Sequence, residues 1–301
     1  MPNAVLNTVP RRVKLADLTT LGVGGEAELW EVERVGDLRE ATREPYRVLG
    51  GGSNLLVADG GVSDRVIKLG RAFNDVRGFG GSADVWLGAA TPLPGLVRRA
   101  ADAGWSGLEG LLGVPAVLGG AVAMNAGTRF GEVADTLQEV ELLVNGQIER
   151  LDAASLGLSY RHSELPKGAV ITRARLRLTP SSPERVRARL GQVDAARQGQ
   201  PKVKSAGCAF KNPLGDSAGR LIDAAGLKGL QVGGARVSHE HGNFVVNTGG
   251  ATARDVVALL EGVRERVGRA LETEWELWGF PAGTLSAEDA PTADKEPLCA
   301  R

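Results

Sequence analysis

Apolar and polar residues alternate with a period of two in several stretches. "QEVELLVNGQIERLD" sets two strands around Asn145-Gly146, the pair best suited to the left-handed backbone of a two-residue hairpin turn. "AVITRARLRL" (Ala169 to Leu178) opposes Arg173, Arg175 and Arg177 to Ala174, Leu176 and Leu178, so it predicts a strand with one wet and one buried face. "YRVLGGGSNLLV" (Tyr46 to Val57) predicts two short strands around a glycine loop, and "DVWLGA" (Asp84 to Ala89) another strand. Elsewhere the spacing turns helical. Thr91 as N-cap and Pro92 as first helical residue predict a helix ending at Gly104, and Ser182-Pro183 predicts another running to about Arg197. The clearest helix is Thr252 to Leu271: Thr252 and Asp255 form a capping box, and Val256, Leu260, Val263, Val267 and Leu271 keep to one face. After Phe280 the chain is Ala, Asp, Glu, Pro and Thr, which predicts a disordered tail over residues 281–301. No repeat of solenoid period is visible.

A length of 301 residues favours two domains. The 36 basic and 36 acidic residues balance, leaving no global field for nucleic acid or an anionic membrane. Apolar residues make up 43%, enough for a real core, and 42 glycines imply many turns and close backbone approaches. Two cysteines, Cys208 and Cys299, cannot make a disulfide framework, so a reducing compartment is inferred. The N-terminus builds no apolar signal segment, and no stretch reaches the roughly eighteen apolar residues of a membrane span. The expectation is a soluble, cytoplasmic protein.

Several motifs bear on chemistry. "GVGGEA" (Gly22 to Ala27) has the spacing of a dinucleotide fingerprint, but "ELWEVE" after it alternates like a strand where that motif needs a helix, so a Rossmann reading is rejected. Walker A is also missing. The loop Gly50-Gly51-Gly52-Ser53-Asn54 either lets backbone N–H groups converge on an anion or is a plain tight turn. "GLEGLLGVPAVLGGAVAMNAG" (Gly107 to Gly127) is too rich in glycine for an ordinary core helix; it suits backbone laid against a large flat ligand, or a packed loop. "SYRHSEL" offers Arg161, whose fork matches a carboxylate. "SHEHGNF" places His239 and His241 on one face if the segment is a strand, with no further metal-ligand pattern, so no metal is expected. "LETEWELWG" carries Glu272, Glu274 and Glu276, which on their own are a solvated acidic face. In "AGCAFKNP", Cys208 can be a small buried hydrophobe, a metal ligand, a nucleophile or a proton donor.

Together these segments resemble the UDP-N-acetylenolpyruvoylglucosamine reductase family. "TTLGVGG", "VLGGGSNLLV", the Gly107 to Gly127 tract, "YRHSEL", "GCAFKNP", "AGRLIDAAGLKG", "VSHEHGNFVVN" and "LETEWELWG" follow the family's order from about residue 15 to 280, and no insertion marks the longer of its two types. The resemblance implies an α+β fold. A two-subdomain FAD-binding part of the vanillyl-alcohol-oxidase type would occupy 15–180 (15–76 and 77–180), and a smaller α+β substrate domain 181–280. It implies non-covalent FAD, NADPH as co-substrate, and reduction of the enolpyruvyl ether of UDP-N-acetylglucosamine enolpyruvate to UDP-N-acetylmuramate for peptidoglycan synthesis. The expected partner is a small nucleotide sugar, with no nucleic acid and no membrane, and the protein is expected to be a monomer. A different FAD oxidoreductase of the same superfold, a non-catalytic flavin binder and a cysteine-dependent hydrolase are the other readings.

By the same resemblance, Gly50, Gly51, Gly52, Ser53, Asn54 and Leu55 hold the FAD pyrophosphate, while Thr20 and Gly24 complete the wall. Glu109, Gly113, Val114, Pro115, Gly119, Gly120, Ala121, Asn125, Ala126 and Gly127 line the rest of the cofactor. Hydride addition leaves charge beside the substrate carboxylate, and Arg161 matches the family's arginine that stabilises it. Glu274 matches the glutamate that must be protonated, hence of raised pKa, to hydrogen-bond the enolate. Cys208 stands where the family usually has serine, as proton donor to carbon. Lys211 and Asn212 would address the diphosphate and sugar, with Tyr160, His241 and Asn243 in the same pocket. The family often has a lysine where this chain has Gly199, a position Lys202 would compensate.

Overall fold

The structure is a computed structural model that describes residues 8–201 and 203–286. Lys202, Cys299 and the tail beyond 286 lie outside the described residues. The chain divides into two compact units, the first made of residues 8–13, Ala27–Gly51 and Asp64–Gln198, the second of Lys14–Glu26, Gly52–Ser63 and residues 199–286. Both mix helices and strands.

In the first unit, strand Glu26–Val32 buries Ala27, Leu29, Trp30 and Val32 and exposes its three glutamates. Its neighbours give the sheet order Arg11–Lys14, Glu26–Val32, Arg65–Leu69, Tyr46–Val48. The last three strands run parallel. A strand therefore follows "GVGGEA", which excludes the Rossmann reading. An antiparallel sheet in the order Gln147–Asp152, Leu137–Val144, Val170–Arg177, Asp84–Gly88 completes the unit. Its hairpin turns at Asn145 (φ 49°) and Gly146 (φ 76°), with Val144 opposite Gln147. Helix Leu93–Ala103 shares its core, and helix Pro183–Ala196 packs against that helix. Leu87, Leu96, Leu118, Leu142, Ala174 and Leu176 belong to the same core. Each large side chain so buried contributes roughly 1.5–3 kcal/mol.

The second unit is built on the antiparallel sheet Ser205–Cys208, Phe244–Asn247, Ala235–Val237, Gln231–Val232. Helices Ala218–Ala224 and Ala253–Val267 belong to it, with Phe210, Val256, Leu260, Leu271 and Trp275 in its core. Strand Glu276–Trp278 pairs in parallel with Leu55–Val57. Residues 281–286, at the head of the expected tail, include a turn, and Leu285 is buried.

Four local expectations are corrected. The first helix starts at Leu93, because Leu93 N bonds Ala116 O and Leu118 N bonds Thr91 O, holding Thr91 and Pro92 extended. The long helix stops at Val267, where Gly268 (φ 64°) takes the left-handed cap; Leu271 is buried beyond it. Inside the glycine tract, Leu118–Ala123 is a short helix. His239 and His241 lie in a turn between strands, so the two-residue strand spacing does not apply.

Candidate functional site

In the first unit the two glycine tracts meet. Gly50, after strand Tyr46–Val48, faces Gly120 on helix Leu118–Ala123. Both line an apolar cavity of about 120 Å³, with Leu69, Ala90, Val117, Leu165 and Ile171 among its walls. Neighbouring glycines are required by backbone packing. A Cβ at Gly51 would lie 2.8 Å from Pro115 O, at Gly119 2.9 Å from Ala89 Cβ, and at Gly127 2.4 Å from Glu132 Cβ. Gly50 and Gly120 are different: an added Cβ meets nothing closer than 3.4 Å at Gly50 and 4.0 Å at Gly120, and neither residue has positive φ. Their missing side chains keep the slot open. An apolar slot bordered by bare backbone fits the flat ring portion of a flavin.

The polar residues of the tract are taken up by hydrogen bonds within the fold. Glu109 is buried and accepts from Ser106 Oγ at 2.7 Å and Gly107 N at 2.6 Å. Asn125 (φ 43°) is fully buried, donating to Ser159 O and accepting from Ala134 N, both at 3.0 Å. Ala121 and Ala126 are also buried, Val114 half-buried and Pro115 exposed. Gly113 (φ 74°) packs under Arg197, whose Nη2 reaches Gly113 O at 3.1 Å. In the second unit, Thr20 N bonds Gly52 O at 2.9 Å. Gly52 (φ 62°) and Gly24 (φ 135°) are held against Leu18 O and Val57, and Leu55 is buried. Ser53 and Asn54 are half-buried, Asn54 Nδ2 donating to Glu274 O at 3.1 Å.

Arg161 occupies a two-residue turn closed by mutual Ser159–His162 backbone bonds of 3.1 Å. Its φ of 56° is uncommon for a side chain this size, and such strain persists only where surrounding contacts impose it. Here Asn125 holds Ser159, Arg161 Nη2 donates to Gly127 O at 2.7 Å, and the guanidinium lies 5.0 Å from the ring of exposed Tyr160.

In the second unit, the Cys208 segment runs beside the Glu274 segment. Cys208 ends its strand opposite Phe244 and is a half-buried thiol. Beyond it, Glu274 N bonds Ala209 O and Lys211 N bonds Glu272 O, each at 2.8 Å, with Phe210 paired to Thr273 between them. Lys211 Nζ is 2.7 Å from Glu272 Oε1. Asn212 Oδ1 accepts from Ala218 N at 3.1 Å. Asn243 is buried, and its amide grips both backbone groups of Phe210, at 2.9 and 2.7 Å. It orients the loop after Cys208. His241 Nδ1 accepts from Asn243 N at 3.2 Å, and burial, with Lys228 nearby, pushes the His241 pKa below its usual value. Thus two of the three expected catalytic residues lie on adjoining segments, and Arg161 belongs to the first unit.

The apolar walls Leu69, Ala90, Leu165 and Ile171 were not anticipated as site residues. An apolar residue in a strand pattern gives the same signal at a cavity wall as in solid core.

The FAD binding domain family matches residues 30–152, and the family described as UDP-N-acetylenolpyruvoylglucosamine reductase, C-terminal domain, matches residues 200–278. The chain is similar to a UDP-N-acetylenolpyruvoylglucosamine reductase of Thermus thermophilus, with 57% identity over 269 residues, covering 89% of this chain and 98% of the relative. With the Deinococcus radiodurans enzyme of that name it shares 53% over 276 residues, covering 89% and 95%. The crystal structure of the Thermus caldophilus reductase matches with a TM-score of 0.86 at 56% identity, covering 90% of this chain and 99% of that one.

Proposed function

We propose, from the premise that this chain belongs to the UDP-N-acetylenolpyruvoylglucosamine reductase family, that it is an NADPH-dependent flavoenzyme. It reduces the enolpyruvyl ether of UDP-N-acetylglucosamine enolpyruvate to UDP-N-acetylmuramate in peptidoglycan synthesis. The observation that carries this reading is the hydrogen-bonded pairing of the Cys208 and Glu274 segments, which sets a free thiol and a carboxyl on neighbouring stretches of backbone. The reading includes action as a cytoplasmic monomer; among the described residues no helix is long and apolar enough to cross a membrane.

Residues 15–180 are the FAD-binding part, which also lends Tyr160 and Arg161 to the substrate, and 181–280 the substrate-binding part. Thr20, Gly24, the Gly50 to Leu55 loop and the Gly107 to Gly127 tract would hold FAD, with Gly50 and Gly120 bordering its ring. When bound and reduced by NADPH, FAD supplies the hydride. Arg161 pairs with the substrate carboxylate and takes up the charge that develops there as the methylene carbon gains hydride. Protonated Glu274 donates a hydrogen bond to the same enediolate. Cys208 then gives its proton to the adjacent carbon from one face, and the thiolate recovers a proton from water. A thiol whose ordinary pKa is near 8.5 is mostly protonated at neutral pH, yet gives up its proton more readily than an alcohol. Lys211 and Asn212 receive the diphosphate, which competes with Glu272 for the Lys211 ammonium. Tyr160 and His241 border the nucleotide sugar, and Asn243 acts through Phe210.

The test is direct. The purified protein should be yellow, and NADPH oxidation should accelerate only on addition of the enolpyruvyl nucleotide, with one UDP-N-acetylmuramate formed per NADPH. Protein without flavin, or flavin that the nucleotide does not reoxidise, refutes the proposal.

A further inference from the structure

Arg264, in the last turn of helix Ala253–Val267, is only 5% exposed. A buried guanidinium is costly unless its donors are used. Here every nitrogen is. Nε donates to Leu271 O at 2.9 Å, Nη1 to Ser286 O at 3.1 Å, and Nη2 to Thr273 Oγ1 at 2.7 Å and Leu285 O at 2.8 Å. Its Cζ lies 5.6 Å from the ring centroid of Phe210. The helix C-terminus favours a cation at that place.

The contacts reach both halves of one backbone pairing. Phe210 stands two residues after Cys208, Thr273 one before Glu274, and the two are bridged to each other. One guanidinium therefore lies against the ring of one partner and bonds the hydroxyl of the other, while also fixing the carbonyl of Leu271 at the entry to the Glu274 segment.

We propose that Arg264 is a positioning residue for the half-reaction in which the nucleotide reoxidises the flavin: it fixes the Cys208 thiol and the Glu274 carboxyl relative to each other without touching substrate. This rests on the roles given to those two residues above. A fork with three nitrogens is needed because the acceptors lie on separate carbonyls and a hydroxyl; a lysine keeps the charge but has a single nitrogen. A displacement of about 1 Å at reacting groups costs on the order of a hundredfold in rate, so a modest loosening has a measurable effect.

The experiment uses full-length, flavin-loaded Arg264→Lys, Thr273→Val and Thr273→Ser, with flavin reduction by NADPH and reoxidation by the enolpyruvyl nucleotide followed separately. Arg264→Lys and Thr273→Val should slow reoxidation at saturating nucleotide by about tenfold or more, leave reduction within about twofold, and change the nucleotide KM little. Thr273→Ser should restore the rate. In a Cys299→Ser background, Cys208 alkylation by iodoacetamide should change by about threefold or more in the first two variants, a readout independent of turnover. Thr273→Val decides the matter if Arg264→Lys does not fold. Variants that melt at lower temperature but reoxidise at the wild-type rate per bound flavin, or in which both half-reactions fall together, overturn the inference alone. Wild-type flavin not reoxidised by the nucleotide overturns it together with the proposed function.

Discussion

In the proton-donor role proposed for Cys208, a thiol would release its proton more readily than a hydroxyl. At Cys208 the difference can be measured one half-reaction at a time. Cys208→Ser should keep measurable turnover, whereas Cys208→Ala should slow reoxidation by about a hundredfold, the usual worth of a positioned acid, while leaving flavin reduction intact. Stopped-flow at the flavin absorbance reads both, and equal reoxidation rates in the two variants would remove the donor role. The glycines make a second residue-scale case. Gly120→Val adds a side chain whose Cβ meets nothing closer than 4.0 Å, so it should fold with unchanged circular dichroism but purify with clearly less than one flavin per chain. Gly51→Val instead drives a Cβ to 2.8 Å from Pro115 O and should destabilise the fold itself. Which glycines border the cavity and which face backbone is not written in "GGGSN", because only the folded neighbours distinguish them. The same holds for Glu109 and Asn125, polar residues in an apolar tract whose side chains turn to the Ser106 hydroxyl and to backbone groups of Gly107, Ala134 and Ser159.

Among elements, the long helix Ala253–Val267 is the one whose ends can be tested most cleanly. Thr252 Oγ1 accepts from Asp255 N at 3.1 Å, Asp255 Oδ2 accepts from Thr252 N at 2.9 Å, and Asp59 accepts from Ala253 N and Arg254 N. Thr252→Ala should cost about 1 kcal/mol and lower the melting temperature by a few degrees; an unchanged melting curve would mean that Asp59 alone satisfies that end. Such caps were legible because they need only a few adjacent residues, and Ser182 fulfils the same expectation by accepting from Arg185 N. Strand pairing was legible only at the Asn145-Gly146 hairpin. The two strands around the glycine loop are neighbours in sequence, yet Tyr46–Val48 pairs with Arg65–Leu69 and Leu55–Val57 with Glu276–Trp278. The start of helix Leu93–Ala103 was missed for a similar reason, since the bonds that hold Thr91 and Pro92 extended come from residues 116–118.

For the whole molecule, three groups set a common direction with pH. Hydrogen bonds from Arg77 lower Asp75 to about 2, and those from Arg220, with Arg269 nearby, lower Asp216 to about 2. Burial lowers His241 from 6.5. In each case the folded state holds its proton less tightly than the unfolded chain, so the contribution is complete above the unfolded pKa and is lost as pH falls. Stability should decline on acidification first through His241, below about pH 6.5, and again between about pH 4 and 2 through the two aspartates. Urea midpoints against pH would check this: His241→Gln should flatten the first decline and Asp216→Asn the second, and a wild-type midpoint that rises on acidification contradicts both. The site was legible as a set of segments in order, since each segment's chemistry is local. How those segments pair was not, because that depends on contacts across most of the chain.

The second unit gathers Lys14–Glu26 and Gly52–Ser63 with residues beyond 198, and this has a consequence for how the protein is made. At about 5–20 residues per second on the ribosome, Leu55–Val57 emerges roughly ten to forty seconds before the strand that will pair with it. A nascent chain must carry that apolar edge uncovered until synthesis is nearly finished. Translation products arrested before residue 276 should be clipped by protease around residues 55–57, where the finished chain resists.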